Sequence, residues 1–203
     1  MKKLGFLTLL LAIALMLGGN AFATGLGGDF SYYFTTYYSN ANTPNAPDAT
    51  VRIINDGSAA LIPVGPQGPS AQGADLYANI YVFDDSEELT ECCSCLVTPD
   101  GLLSESVNKN LTANPLTGIK PTRGVIKIIT SDVGGGAFGE TTSGLRGWAT
   151  HVQKLASGFA LTETLLADSN LAPAEQSLLY ELCYYDGELS GQPCTCTPED
   201  QDF

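Results

Sequence analysis

The residues best placed to do chemistry are two tight groups of cysteine. One is Cys92-Cys93-Ser94-Cys95; the other is Cys183 with Cys194-Thr195-Cys196. All six cysteines of the 203-residue chain fall in these groups, about 90 residues apart. Sulfur at this density serves either as a disulfide framework or as thiolate ligands for a metal. Redox compartment decides between them. The C-C-x-C and C-x-C spacings do not match the paired C-x-x-C of a zinc ribbon. Neighbouring cysteines rarely meet the distance and dihedral that a bridge requires, so Cys92 with Cys93 and Cys194 with Cys196 make poor pairs. Bridges are therefore expected between the groups. Of the 15 pairings that six cysteines allow, about six run wholly between the groups, and the choice among those stays open.

The N-terminus speaks for the oxidising alternative. Lys2 and Lys3 precede an apolar stretch over residues 4–17, and Ala21-Phe22-Ala23 has the small-x-small form of a cleavage site. This pattern is a secretory signal peptide over residues 1–23, too short and wrongly flanked for a membrane anchor. The expected product starts at Thr24, outside the cytoplasm and with no membrane span.

Other constellations are weaker. Asp84-Asp85-Ser86-Glu87-Glu88 offers oxygen ligands that calcium would accept, but it lacks the spacing and glycine of an EF-hand loop. A solvated turn is the simpler reading. His151, the one histidine, could serve a dyad or a metal. With no G-x-S-x-G elbow to partner it, it reads as a half-exposed strand residue. The glycine-rich residues 132–144 lack both phosphate-loop patterns. The 22 acidic residues leave room for a pair of carboxylates of the kind that hydrolyse polysaccharide. No cofactor fingerprint is found.

The elements that must position these groups read mainly as strands. Phe30, Tyr32, Phe34 and Tyr38 alternate over residues 30–38, a strong β pattern. That strand is expected either at home in its own sheet or lent to a neighbouring molecule, a route to self-assembly. Residues 39–48 read as a flexible connector. Strands follow at 49–55, 76–83, 95–98, 102–107 and 123–130, with a hairpin over 145–154 and 159–166. Residues 76–83 are apolar on both faces and should be a central strand. Thr98-Pro99-Asp100-Gly101 suits a type I turn. Trp148 and Val152 are expected in the core. Residues 173–185 read as the single helix, with Leu171, Ala174, Leu178, Leu182 and Tyr185 as its apolar stripe. Cys183 in its last turn would pin it to the sheet.

The expected fold is a mainly β, sandwich-like single domain of seven to nine strands, with one C-terminal helix and a disulfide cluster. Its parts are a signal peptide (1–23), an aromatic strand and connector (24–48), the β domain with its helix (49–196) and an acidic tail (197–203). The formal charge of −13, more negative once Lys2 and Lys3 are removed, excludes nucleic acid as a partner.

Tyr81-Val82-Phe83-Asp84, Glu91 to Leu102 (ECCSCLVTPDGL), Asn114-Pro115-Leu116-Thr117-Gly118, Gly124-Val125-Ile126-Lys127-Ile128 and the closing Cys194-Thr195-Cys196 resemble an uncharacterised family of secreted, cysteine-containing soil-bacterial proteins. The resemblance implies export and disulfide bonding and carries over no functional residue. Function is thus expected to be structural or binding rather than catalytic. The alternatives are a secreted polysaccharide hydrolase and a thiolate metal-binding protein.

Overall fold

A computed structural model describes residues 32–59, 74–114, 118–132, 140–185 and 196–197. The predicted signal peptide, Phe30 and Cys194 lie outside these residues. Among the described residues nine strands run in chain order: β1 (Tyr33–Ser39), β2 (Thr50–Asn55), β3 (Leu76–Asp84), β4 (Leu89–Val97), β5 (Leu102–Ser106), β6 (Arg123–Asp132), β7 (Leu145–Lys154), β8 (Phe159–Leu165) and β9 (Ala167–Asp168). A turn of π-helix (Val107–Leu111) follows β5, and helix α1 spans Pro173–Tyr185. Two antiparallel sheets result. Sheet A has the order β4-β3-β6-β1-β9, and sheet B the order β5-β2-β7-β8.

The alternation of β3 explains its central place. Leu76, Ala78, Ile80 and Val82 are completely buried between the sheets. Tyr81, on the other face, joins Tyr33, Cys92, Ile129 and Leu179 in a second apolar cluster beneath α1. A strand covered on both faces reads as a near-continuous apolar run. β4 was expected to begin only at Cys95 and in fact begins at Leu89. Its two faces are both covered, which hides the period-two signal.

β1 is kept at home. It pairs with β6 along its whole length and with β9 at Phe34 and Thr35. Phe34 and Tyr38 fill this chain's own core, and the Tyr38 hydroxyl donates to the Phe83 carbonyl at 3.0 Å. The connector behind it, expected to be flexible, is tied down by side chains. Asn42 Nδ2 donates to Thr112 Oγ1 and to the Pro121 carbonyl, and Asp48 accepts from Asn108 N–H. Asn40, Asn42 and Asn45 all sit at positive φ, a conformation that asparagine tolerates better than most residues.

Three further expectations need correction. Asp100 has φ +63° at the third position of its turn, which is type II geometry rather than type I. Trp148 is only half-buried, because the inward positions over the first part of β7 are Leu145, Gly147 and Ala149; Val152, further along, is buried in the core as expected. The helix stripe is also shifted: Leu179 is fully buried while Leu178 is 49% exposed. Glu175, Leu179 and Cys183 lie at i, i+4 and i+8, and the Cys183 bridge turns that face toward the sheet.

β8 passes into β9 through the single residue Leu166, so the chain crosses from sheet B to sheet A there. Leu166 is buried at this corner and donates its N–H to the Gly147 carbonyl. Gly147 must lack a side chain: a Cβ would lie 2.4 Å from Leu166 Cδ1 and 2.8 Å from the Arg52 carbonyl.

Candidate functional site

β4 is the outer strand of sheet A, and its pleat sorts the first cysteine group. Cys92 points outward to α1, while Cys93 and Cys95 point into the inter-sheet core. Cys92 bridges to Cys183 and Cys95 bridges to Cys196, with Cα–Cα distances of 6.0 and 5.5 Å. Cys93 is also disulfide-bonded, to a partner outside the described residues. No cysteine is free among the described residues. The bridges run between the two groups, as the spacing argument requires. Adjacent cysteines on a strand face opposite ways, which is why Cys92 and Cys93 serve different layers.

The sulfurs of Cys93, Cys95 and Cys196 lie within 4.8 Å of one another, a grouping that as thiolates could hold a soft metal ion. Cys95 and Cys196 are bonded to each other, and Cys93 is oxidised too. A sulfur in a disulfide carries no thiolate charge, so the oxidised chain offers a covalent cluster rather than a ligand set.

The segment after Cys196 completes this side of the sandwich. Thr197 N–H donates to Glu105 Oε1 at 2.8 Å, and its hydroxyl reaches Glu105 Oε1 and the Ser104 carbonyl. Glu105 is completely buried on the inner face of β5, and its Oε2 has no hydrogen-bond partner. Burial raises its pKa, opposed by the two bonds from Thr197. This residue was not singled out from the sequence. The only signal was a Glu at an inward position of an alternating strand.

Glu91 on β4 is a second buried acid, 3% exposed. Burial pushes its pKa up to about 6, against hydrogen bonds from the Asn114 and Ala113 amides and the charge of Lys120. Its carboxylate anchors the loop that follows the π-helical turn.

Beside that loop lies a groove of about 460 Å³, walled by the β3–β4 turn and residues 119–122. Asp84, Asp85 and Glu88 line one side; Asn114, Ile119 and Lys120 line another. Two of these carboxylates already have partners. Asp84 Oδ1 accepts from the Ser86 and Glu88 amides, and Asp85 pairs with Arg123 at 2.7 Å. The acidic run is thus a capped turn, with Glu87 at φ +66°.

His151 is 2% exposed, not half-exposed as its place in the sequence implied. Its ring stacks on Tyr37 with centroids 4.1 Å apart. Nδ1 faces the Tyr37 carbonyl at 3.0 Å and Nε2 faces Thr164 Oγ1 at 2.7 Å. A carbonyl only accepts, so the neutral ring carries its proton on Nδ1 and accepts from the threonine hydroxyl at Nε2. Burial lowers its pKa, while the bond to Tyr37 works in the opposite direction. Ser39 Oγ and Asn40 Nδ2 both donate to the Val152 carbonyl nearby, at 2.7 and 2.8 Å. These bonds stitch β1 of sheet A to β7 and β8 of sheet B.

No protein family, curated protein or solved structure matches this chain. Among the described residues, no helix is long and apolar enough to cross a membrane.

Proposed function

We propose that this chain is an exported, disulfide-stabilised sandwich with a structural or binding role rather than a catalytic one. The observation that carries the reading is the cysteine arrangement: one outer strand takes bridges into two different layers, both from the C-terminal region. Such bridges persist in an oxidising compartment, and the signal-peptide pattern of residues 1–23 agrees with it. The histidine gives further support. Both of its nitrogens are engaged in the interior, which leaves it no proton-transfer work at a surface. The groove beside Glu91 is the natural place for a ligand, and the engagement of Asp84 and Asp85 there favours holding over hydrolysis. The resemblance to secreted soil-bacterial proteins fits the same reading.

Two measurements test it. The chain expressed with its own leader should leave the cytoplasm, begin at Thr24 and gain about 6 Da on reduction, two hydrogens for each of three bridges. Incubated with a panel of polysaccharides, it should release no reducing ends. Release that disappears in Asp84→Asn or Glu88→Gln would establish the hydrolase reading instead.

A further inference from the structure

β8 is the outer strand of sheet B, and among the described residues only β7 pairs with it. The register fixes which of its backbone groups are used. Leu166 N–H donates to the Gly147 carbonyl at one end of the hairpin, and Leu155 N–H donates to the Gly158 carbonyl at the other. Alternation between these ends turns the amides and carbonyls of Thr162 and Thr164 toward β7. Those of Leu161, Glu163 and Leu165 point away from the sheet.

Natural sheets guard such an edge with proline, lysine or a bulge. β8 (FALTETL) has neither residue, and its register with β7 is unbroken. Its single charge, Glu163, is paired with Arg52 of the same sheet at 2.8 Å. Leu161 and Leu165 are 50% and 63% exposed beside it. The thirteen-negative formal charge of the chain would favour a basic peptide here, but the sequence of the edge points elsewhere. Leu161-Thr162-Glu163-Thr164-Leu165 reads identically in both directions. In a two-fold pair of identical strands centred on Glu163 this sequence sets like against like, leucine on leucine and threonine on threonine, a match that a foreign strand would have to supply by chance.

We propose that β8 pairs with β8 of a second copy of this chain, antiparallel and two-fold symmetric about Glu163, joining the two B sheets into one. Leu161 then lies opposite Leu165 of the second copy, and Thr162 opposite Thr164. The outward backbone groups meet at three positions, two bonds at each, for about six hydrogen bonds. Leucine and threonine cross-strand pairs each add a little. The two Glu163 side chains face each other, a repulsion that the exposed Arg52 of each copy offsets only in part. The charge of the whole chain also opposes association, so the pair tightens as salt screens it.

Light scattering on the oxidised full chain over a range of concentrations tests this. The result expected is a concentration-dependent dimer that strengthens with salt. Leu165→Lys, at an exposed position, should weaken the dimer at least about tenfold without moving the thermal midpoint of the dilute monomer. Glu163→Gln should have the opposite effect and tighten it several-fold, because it removes the facing charges. A chain that stays monomeric at every concentration overturns the proposal. So does a dimer indifferent to both substitutions, or an edge that captures an added basic peptide in preference to a second copy.

Discussion

On one side of the sandwich, β4 and β5 are closed by the Cys95–Cys196 bridge and the Thr197–Glu105 bonds. On the other, β1 and β7 are closed by His151, Ser39 and Asn40, beside the continuous turn of chain at Leu166. The chain also crosses between the sheets on the cysteine side, at the β4–β5 turn, but the bridge there holds a segment at Cys196 and Thr197 that lies in no strand, 101 residues from Cys95. Chain entropy opposes that closure, and a covalent bond answers it. On the histidine side the parts that meet, β1 with β7 and β8, are strands already fixed in their own sheets, so hydrogen bonds suffice. Each side also buries a titratable group, and the two respond to acid with opposite signs.

The largest effect should come from cutting the cysteine side. Reduction of all three bridges should lower stability by about 4–5 kcal/mol or more in denaturant unfolding, since a loop of this length is worth that much to the first bridge that closes it. Cys95→Ala with Cys196→Ala alone should cost about half of it, because the Cys92 and Cys93 bridges still close most of the loop. Cys92→Ala with Cys183→Ala should cost less. Leu179 remains buried, and the Lys127–Glu175 pair still holds α1 against the sheet. If the helix bridge proved the costlier of the two, the comparison would fail.

His151→Ala ranks next, at about 2–4 kcal/mol near pH 8, for two buried hydrogen bonds and a ring stack. Its folded pKa is lowered by burial, so the neutral form is the one the fold accepts. The stability it secures is present above the unfolded value of about 6.5 and is lost as pH falls through it toward the lower folded value. Urea midpoints across that range should therefore fall on acidification in the wild type and flatten in the variant.

Glu91 gives a smaller effect of the opposite sign. Its pKa rises from 4.5 to about 6. Stability linked to it is full below 4.5 and is lost as pH rises through about 6. Relative to Glu91→Gln, the wild type should gain about 2 kcal/mol between about pH 8 and about pH 4. Glu105, also raised by burial, has the same sign. A single pH profile with no opposing components would contradict this division.

Legibility in the sequence followed exposure. The β7–β8 hairpin showed its alternation and β3 its near-continuous apolar run, and the joining of the two cysteine groups by bridges followed from spacing. β4 was half-missed because Glu91, Cys92 and Cys93 are all buried, whichever face they take. The helix itself was readable from its spacing, but not its orientation. Leu178 and Leu179 are equally apolar, and the Cys92–Cys183 bridge selects between them. Burial of His151 was invisible for a related reason: its partners, Tyr37 and Thr164, come from strands on either side of it in space. β9, two residues long, has no pattern to read. The specific disulfide pairing was not legible either, since it depends on which layer each face of β4 meets.

The central claim is that one strand is bridged into two layers. Peptide mapping of the unreduced protein by mass spectrometry tests it most directly. Protease fragments carrying Cys92 linked to Cys183 and Cys95 linked to Cys196 are the result expected. Fragments joining Cys92 to Cys196, or free thiols at any of these four positions, would contradict it.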